Sequence, residues 1–454
     1  MLRLAFTVPI YLLYWSNSFA QDSLFSPIVS YYIGETPNAI TCADFDGDGD
    51  VDLAAATSNG DIFILKNNGL GSFTNSTDYA ISSGPLFINS RDFDGDNDID
   101  LAISKAYSDS IAILKNNGDG TFGNTINYDV TSNPRYLYSA DIDGDSDQDI
   151  AVATLGPLVI LKNNGNGTFR RTALYDIGPE LSAVSMAYID TDQYIDLVVT
   201  DDILDEAKVL FNNGDGTFQN AISYNVGSHP VSIFAGDFNN DTFTDIAIAE
   251  TSIPGISVLF NDGTGTFDST INYYLLGSSP ISILGSDIDM DHDIDLLVAD
   301  NNADNIITLI NMGAGAFDFG TRYFVGNNPI SIMASDLNEN GIDDIVILNS
   351  QSSVISILIN TTVARCQYSP GDINGDDISN ALDVSYAVNY LKGGVAPIID
   401  CKPPCIYISD PFYASMDVNG SCTANGIDIS YYVCSLKGSL PLLYCPNCPP
   451  VGSR

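Results

Sequence analysis

Residues 92–100 read DFDGDNDID, an aspartate-rich nonapeptide that recurs along the chain. Successive copies begin 47 to 50 residues apart, so the repeat has an almost constant length. A period of this length indicates a repeat architecture in which each unit is one supersecondary element. The seven copies begin at Asp44, Asp92, Asp141, Tyr188, Asp237, Asp287 and Asp336.

Each unit carries the signals of four short strands. An apolar stretch led by a proline precedes the nonapeptide, as at 230–233, and an alternating apolar stretch such as 246–248 follows it. A third stretch runs into an Asn-Gly turn, as at 113–122, and a fourth, such as 221–224, ends the unit. Asn-Gly between alternating strands is a strong hairpin signal because both central residues need positive φ. Four strands in each of seven units predict a mainly β fold, a seven-bladed β-propeller.

The two ends of the repeat region predict how the ring closes. The seventh unit stops after its third strand, at 355–360, whereas residues 26–34 resemble the fourth strands of the other units. We therefore expect the N-terminal segment to complete the last blade, which removes two exposed strand edges. A calcium β-roll would instead repeat every nine residues or so. Linear acidic repeats would lack the intervening apolar strands.

Alternate acidic residues at positions 1, 3, 5 and 9 of a tight loop bring several oxygens around one point. Calcium takes about six to eight oxygen ligands, and the carbonyl at position 7 would add another. The alternative is a solvated acidic turn, but unneutralised carboxylates this close would repel one another. We predict calcium as the cofactor, with weaker binding in the seventh loop. The fourth loop has Tyr188 at position 1, and its occupancy stays open.

The predicted ligands of the seven loops are the acidic and amide residues at those positions. They are Asp44, Asp46, Asp48 and Asp52; Asp92, Asp94, Asp96 and Asp100; Asp141, Asp143, Asp145 and Asp149; Asp190, Asp192 and Asp196; Asp237, Asn239, Asp241 and Asp245; Asp287, Asp289, Asp291 and Asp295; and Asp336, Asn338, Asn340 and Asp344.

These motifs resemble the FG-GAP/VCBS repeat family, the integrin-α-type propellers, over residues 26–360. The resemblance implies that each acidic loop joins the first and second strands of a blade. It also implies a structural role for the ion, which would fix the turn rather than contact a substrate.

Charge and the N-terminus restrict the function classes. The chain has 58 acidic and 16 basic residues, a net charge of −42, which disfavours nucleic acid and anionic membranes as partners. A positive start, an apolar run at 4–15 and the small residues around Ala20 predict a signal peptide. No segment is long enough to predict a transmembrane helix. We therefore expect a secreted, extracellular protein, with association at a cell surface as a further expectation.

The C-terminal region predicts a second, small α-helical domain of paired calcium loop–helix units. Seven of the eight cysteines follow residue 365, and in a secreted chain such clustering predicts disulfides. Seven is odd, so one cysteine is unpaired, pairs with Cys42, or pairs between molecules. Two loops of equal spacing are each followed by helical periodicity. Their predicted calcium ligands are Asp372, Asn374, Asp376, Asn380 and Asp383, and Asp417, Asn419, Ser421, Asn425 and Asp428.

The loop–helix pair resembles a type I dockerin over residues 371–438. The resemblance implies attachment to a cohesin-like scaffold. Family members often have hydroxyl residues where this chain has Ala381-Leu382 and Gly426-Ile427, so we expect weak or absent cohesin binding. The predicted organisation is a signal peptide (1–20), a propeller (21–362), a linker (363–370), the dockerin-like domain (371–438) and a Cys/Pro-rich tail (439–454).

No catalytic constellation stands out, and we name no catalytic residue. The two histidines, His229 and His292, have no nucleophile in their motifs. We therefore favour a calcium-binding recognition or adhesion protein with an extracellular protein or glycan as partner, attached by its C-terminal domain to a surface or scaffold. The alternatives are a dockerin-borne polysaccharide-active hydrolase or lyase and a structural surface component. The candidate ligand-binding residues, which follow the second strands, are Asp201, Asp202, Asp205, Glu206, Glu250, Asp300 and Asp304.

Overall fold

The structure is a computed structural model that describes residues 24–82 and 84–362, with the side chains of 75–77 left out. The predicted signal peptide, linker, dockerin-like domain and cysteine-rich tail lie outside these residues, and so do the candidate ligands from Asp372 to Asp428. Cys42 is free within the described part of the chain. None of the described helices could cross a membrane.

The described residues form 28 strands, numbered in chain order, and these make seven antiparallel four-stranded sheets, which are the predicted blades. The innermost strands are β2 (Pro37–Ala43), β6 (Pro85–Arg91), β10 (Pro134–Ala140), β14 (Leu181–Ala187), β18 (Pro230–Gly236), β22 (Pro280–Ser286) and β26 (Pro329–Ser335). The second strands are β3 (Asp52–Thr57), β7 (Asp100–Lys105), β11 (Asp149–Thr154), β15 (Asp196–Asp201), β19 (Asp245–Glu250), β23 (Asp295–Asp300) and β27 (Asp344–Asn349).

The remaining strands form the outer half of each blade. The third strands are β4 (Asp61–Lys66), β8 (Ser110–Leu114), β12 (Leu158–Asn163), β16 (Glu206–Leu210), β20 (Gly255–Phe260), β24 (Asn305–Asn311) and β28 (Val354–Leu358). The outermost strands are β5 (Thr74–Ala80), β9 (Ile126–Asp129), β13 (Phe169–Tyr175), β17 (Ile222–Asn225), β21 (Ser269–Tyr274), β25 (Phe317–Phe324) and β1 (Val29–Tyr32). A single turn of 3-10 helix, Ala106–Ser108, follows β7.

Burial explains why the second strands read as continuous apolar runs. All six residues of β19, from Asp245 to Glu250, are buried, because the neighbouring blades cover both faces of each sheet. Apolar clusters fill the interfaces between blades. Phe45 and Ile88, from the first and second blades, belong to one such cluster, and each is at most 2% exposed. Packing between blades therefore supplies the core.

A repeated aromatic contact joins the outer parts of neighbouring blades. In the first interface the ring of Tyr79, on β5, lies edge-on to Phe122, which follows the Asn-Gly turn of the second blade, with 5.4 Å between centroids. Such edge-to-face pairs add about 0.5–1.5 kcal/mol beyond the area they bury. The pairs of the other interfaces are Tyr31–Phe73, Tyr128–Phe169, Tyr175–Phe218, Tyr224–Phe267, Tyr273–Phe317 and Tyr323–Phe25.

The predicted closure is confirmed, and it includes a residue beyond the predicted strand. β1 pairs antiparallel with β28, and Val29 lies opposite Ile357. The two ends of the ring are also tied by the Thr361 amide, which donates to the Leu24 carbonyl at 2.8 Å. Phe25 lies opposite Asn360, as Phe122 lies opposite Asn116 in the second blade. Phe25 therefore takes the place of the turn phenylalanine that the interrupted blade lacks.

Candidate metal centres

Each aspartate-rich nonapeptide connects the innermost strand of a blade to the second strand. In six of the seven loops the residues at positions 4 and 6 have positive φ. Side-chain-bearing residues there, such as Thr242 (φ 75°) and His292 (φ 75°), are held in a region that costs about 1–3 kcal/mol each. Neither Thr191 nor Gln193 of the fourth loop has positive φ. The fourth loop therefore differs in backbone as well as in sequence.

The carboxylate at position 1 holds this backbone shape. Asp44 accepts hydrogen bonds from the amides of Gly47 (2.7 Å) and Gly49 (3.0 Å), one to each oxygen. Equivalent amide bonds reach the first aspartate of the other five loops with positive φ, Asp92, Asp141, Asp237, Asp287 and Asp336. Tyr188 has no carboxylate to do this. The substitution that makes the fourth loop a doubtful metal site thus also explains its different conformation.

Four loops bring three carboxylates together, with ligand oxygens within 4.8 Å of one another. In each of these loops one oxygen of the position-3 aspartate is buried and has no hydrogen bond among the described residues. Buried polar atoms without a partner are rare in folded proteins. A buried carboxylate oxygen without a partner can accept a hydrogen bond or coordinate a cation. An oxygen-rich set of this kind fits calcium. The four position-3 residues are Asp46, Asp94, Asp143 and Asp289.

The remaining candidate loops hold fewer carboxylates. Asn239 and Asn338 take position 3 in the fifth and seventh loops. The fourth loop keeps Asp190, Asp192 and Asp196, but they do not form a three-acid cluster of this kind in the described structure. Instead, Asp190 accepts the amide of Asp192 at 2.8 Å.

The position-9 aspartates are buried in all seven blades. Asp52 is a representative case: its two oxygens accept the amides of Phe45 (3.2 Å) and Asn67 (2.7 Å). Burial raises the pKa of Asp52 to about 6 and that of Asp295 to about 8, although the amide bonds act in the opposite direction. Acidic neighbours in the same loop add to both shifts. A cation bound nearby would keep these carboxylates ionised at neutral pH.

Lysines partly neutralise the first three loops. Lys66 lies 2.8 Å from the outer oxygen of Asp46 and donates to the Asp119 carbonyl of the second blade at 2.9 Å. Lys115 and Lys162 contact the position-3 aspartates of the second and third loops. At the same point of the third strand the later blades have apolar residues, beginning with Phe211. The sixth loop therefore has three clustered carboxylates and no such lysine.

An asparagine after each third strand links neighbouring blades, and the sequence analysis assigned these residues only to turns. The Asn116 amide group donates to the carbonyls of Phe45 (2.8 Å), in the preceding blade, and Ile99 (3.0 Å). Its own backbone amide donates to the buried carboxylate of Asp100 at 2.7 Å. The equivalent residues, each bonded to a carbonyl of the preceding blade, are Asn67, Asn163, Asn212, Asn261, Asn311 and Asn360. Together they form a closed circuit of asparagine bridges around the ring.

Replacing one bridge should destabilise the whole propeller. Asn116→Ala leaves the buried carbonyls of Phe45 and Ile99 without a donor, and we expect a loss of about 2–3 kcal/mol in the free energy of unfolding. The matched control is Asn117→Ala, since the neighbouring side chain is exposed and bonds only Thr121 within its turn. That control should cost less than about 1 kcal/mol. Urea denaturation measures both, and equal midpoints for the two variants would contradict the bridge assignment.

The candidate ligand residues lie on the opposite face, where the second strands end. Asp205 accepts the His229 amide at 2.9 Å and the Ser228 hydroxyl at 2.9 Å, and Asp304 accepts the Asn328 amide at 2.8 Å. Both aspartates therefore cap links to the next blade. The ring of His229 lies 3.0 Å from Asp202, and no nucleophile adjoins that pair among its described contacts.

The other acids on this face are also engaged internally. Asp201 and Asp300 are fully buried and accept amides of their own turns, and one oxygen of each has no hydrogen bond among the described residues. Glu250 accepts the Gly227 amide and the Ser257 hydroxyl, and Glu206 pairs with Lys208.

Exposed apolar side chains occupy the tips of the same turns, a feature that the acidic composition of these turns does not predict. Tyr107 is 83% exposed in the second blade, and Ile203 and Leu204 are exposed in the fourth. Ile253 is exposed in the fifth blade. These side chains belong to the turns between the second and third strands of three blades.

Solved structures with the same fold share little sequence with this chain. BBS1N in complex with ARL6DN is 12% identical, with a TM-score of 0.56 over 76% of this chain and 99% of that one. Virginiamycin B lyase from Staphylococcus aureus is 13% identical, with a TM-score of 0.52 over 73% and 98%. A streptogramin B lyase has the same identity and TM-score. These likenesses show the fold alone.

No curated protein matches the chain. The family model described as FG-GAP-like repeat matches residues 11–90, 92–152, 141–193 and 188–248, which amount to more than half of the chain. The repeated nonapeptides, the seven blades and this match agree, and the chain belongs to the FG-GAP-like repeat family.

Proposed function

We propose that this protein is a secreted, calcium-stabilised recognition propeller with an extracellular protein or glycan as its partner. A propeller of FG-GAP-like repeats suggests a role in protein interaction or recognition. The observation that carries the calcium part is the unpartnered inner oxygen of the position-3 aspartate in four loops. Calcium, when bound, would neutralise the clustered carboxylates and cross-link each loop.

The residues of the chain divide this work between two faces. On the metal face, the aspartates at positions 1 and 3 would hold the ion, together with position 5 in the first, second and sixth loops and position 9 in the third. The position-9 carboxylate also accepts the backbone amide of the bridging asparagine. On the opposite face, the side chains of Tyr107, Ile203 and Leu204 are exposed at the turns that follow the second strands. We propose that these tips contact the partner. BBS1N was solved bound to ARL6DN, and a protein partner for the present propeller would be a comparable use of the fold.

The part of the proposal that concerns the C-terminal region rests on its sequence. The paired loops ending at Asp383 and Asp428 would bind calcium, and the domain would attach the propeller to a surface or scaffold.

A binding array with extracellular proteins and polysaccharides, run in millimolar calcium, tests the recognition role. We expect saturable binding that Tyr107→Ser and the double variant Ile203→Ser, Leu204→Ser each reduce at least about tenfold, since exposed anchors dominate binding energy. Tyr274→Ser, which removes an exposed ring from an outermost strand, is the control and should leave binding unchanged. Binding that is insensitive to both turn variants would place the partner elsewhere. Release of new reducing ends from a bound polysaccharide would favour the enzyme alternative.

A further inference from the structure

The innermost strands enclose a channel along the axis of the ring, with a cavity of about 530 Å³. This volume lies within the range of about 300–1,000 Å³ that is usual for small-molecule sites. Although the chain has 58 acidic residues, none of the carboxylates in the described part of the chain lines the cavity. The charged lining residues are Arg91 and Arg135, and Arg135 is paired with Glu180 at 2.6 Å. The cavity therefore differs sharply from the acidic surface around it.

The lining of the cavity has a polar side and an apolar side at the fifth residue of the innermost strands. At this fifth position the first four blades contribute polar side chains and the last three contribute apolar ones, while Ser232, Ser282 and Ser331 of the last three blades also line the channel. The polar set is Thr41, Asn89, Tyr138 and Ser185, and the apolar set is Phe234, Leu284 and Met333. Such a cavity favours an occupant with one apolar face and one edge that forms hydrogen bonds.

Groups on the polar side of the lining are of two kinds. The hydroxyls of Thr41 and Ser90 bond each other at 2.8 Å. The hydroxyls of Tyr136, Tyr138 and Ser185 line the cavity without a hydrogen bond to any residue in the described part of the chain. A phenol hydroxyl can both donate and accept, so these groups offer unused bonding capacity toward the channel.

Aromatic packing holds the ring of Tyr136 in place. The ring of Tyr136 stacks on Phe87 with 3.7 Å between centroids and 32° between planes. Burial, and to a lesser degree the neighbouring Tyr138, raise the pKa of Tyr136, so its hydroxyl stays protonated at neutral pH. A fixed, neutral donor beside an apolar wall loses little conformational entropy when a ligand binds.

We propose that the central channel binds a small neutral molecule of one to three rings that carries a hydroxyl or carbonyl group. Its rings lie against Phe234, Leu284 and Met333, and its polar group bonds Tyr136 and Tyr138. The lining residues include no carboxylate, which disfavours a cation, and the guanidinium of Arg135 is already paired with Glu180. This site is separate from the metal loops and from the apolar turn tips.

Fluorescence titration of the full chain with 2-naphthol and naphthalene tests the proposal, because the two probes differ only in the hydroxyl. We expect 2-naphthol to bind saturably and more tightly than naphthalene. Tyr136→Phe with Tyr138→Phe should weaken 2-naphthol about tenfold and naphthalene less than about twofold, since each neutral hydrogen bond contributes about 0.5–1.5 kcal/mol. Leu284→Trp should fill the cavity and weaken both probes.

The control is Tyr274→Phe, which removes a hydroxyl from an outermost strand and should change neither titration. The double phenylalanine variant keeps both aromatic rings and so preserves their packing. It therefore tests the proposal even if Leu284→Trp misfolds. Failure of 2-naphthol to bind at its solubility limit would overturn the proposal. Equal loss of both probes in the double phenylalanine variant would also overturn it, since the hydroxyls would then not be the ligand-bonding groups.

Discussion

Deleting residues 24–33 is expected to open the ring and lower the melting temperature by at least about 10 °C. The deletion removes the strand that pairs with β28 and the buried side chains of Phe25 and Ile33. Each large apolar side chain of this kind contributes about 2–5 kcal/mol when its loss leaves a cavity, and about 0.7 kcal/mol shifts a domain of this size by one degree. Calorimetry measures the melting temperature, and size-exclusion chromatography detects association through the exposed β28 edge.

Two point variants distinguish the effect of opening the ring from the effect of removing a buried aromatic side chain. Phe25→Ala removes the edge-on contact with Tyr323, and Phe122→Ala removes the edge-on contacts with Tyr79 and Phe45. We expect both to cost about 3–5 kcal/mol. Only Phe25→Ala should make the N-terminal segment sensitive to protease under native conditions, because that segment is a chain end held by a few contacts. Equal protease resistance in the two variants, together with an unchanged melting temperature in the deletion, would refute closure through this segment.

Removal of calcium is expected to lower the melting temperature by about 10 °C relative to protein in 10 mM calcium. Extracellular calcium modules bind at about 10⁻⁴–10⁻³ M, so each occupied loop adds about 1.4–2.7 kcal/mol at that concentration. Four loops with clustered carboxylates give several such increments, and these convert to roughly 10 °C for a ring of this size. Calorimetry in EDTA and in calcium measures the difference.

Matched variants assign the effect to individual loops. Asp289→Ala removes the position-3 ligand of the sixth loop, where the three clustered acids have no neighbouring lysine, and should abolish about a quarter of the calcium-dependent shift. Asp190→Ala makes the same change in the fourth loop and should leave the shift intact. Isothermal titration should likewise show one fewer bound calcium for Asp289→Ala only. A melting curve that is the same in EDTA and in calcium would exclude the structural calcium role.

The period of the nonapeptide was sufficient to predict the blades, because each repeat contains its own strands and turns. The predicted closure by residues 26–34 is confirmed for the same reason, since that segment carries the pattern of a fourth strand. The part played by Phe25 was missed. It precedes the recognised strand, and its equivalence to Phe122 depends on a turn that the last blade lacks.

Local sequence patterns could not predict the asparagine bridges. Asn-Asn-Gly predicts a hairpin turn, whereas the bridge from Asn116 to Phe45 joins residues 71 positions apart in different repeats. On the opposite face, acidic composition predicted ligand groups, and these stay a prediction. The structure shows Asp205 and Asp304 capping links between blades. The exposure of Tyr107 depends on which neighbouring residues are buried, and sequence does not report that.

The seven repeats of the chain show which positions of the unit tolerate substitution and which do not vary. All seven copies retain the bridging asparagine and the buried aspartate at position 9. Position 1 has become tyrosine at Tyr188, and position 3 is asparagine at Asn239 and Asn338. In the fourth loop, which contains Tyr188, the Asn261 amide group still donates to the Ile189 carbonyl. A loop can therefore lose a candidate metal ligand and keep its bridge to the next blade. Under the proposed calcium role, mutation can therefore change which loops hold an ion, one loop at a time, while the asparagine bridges stay in place.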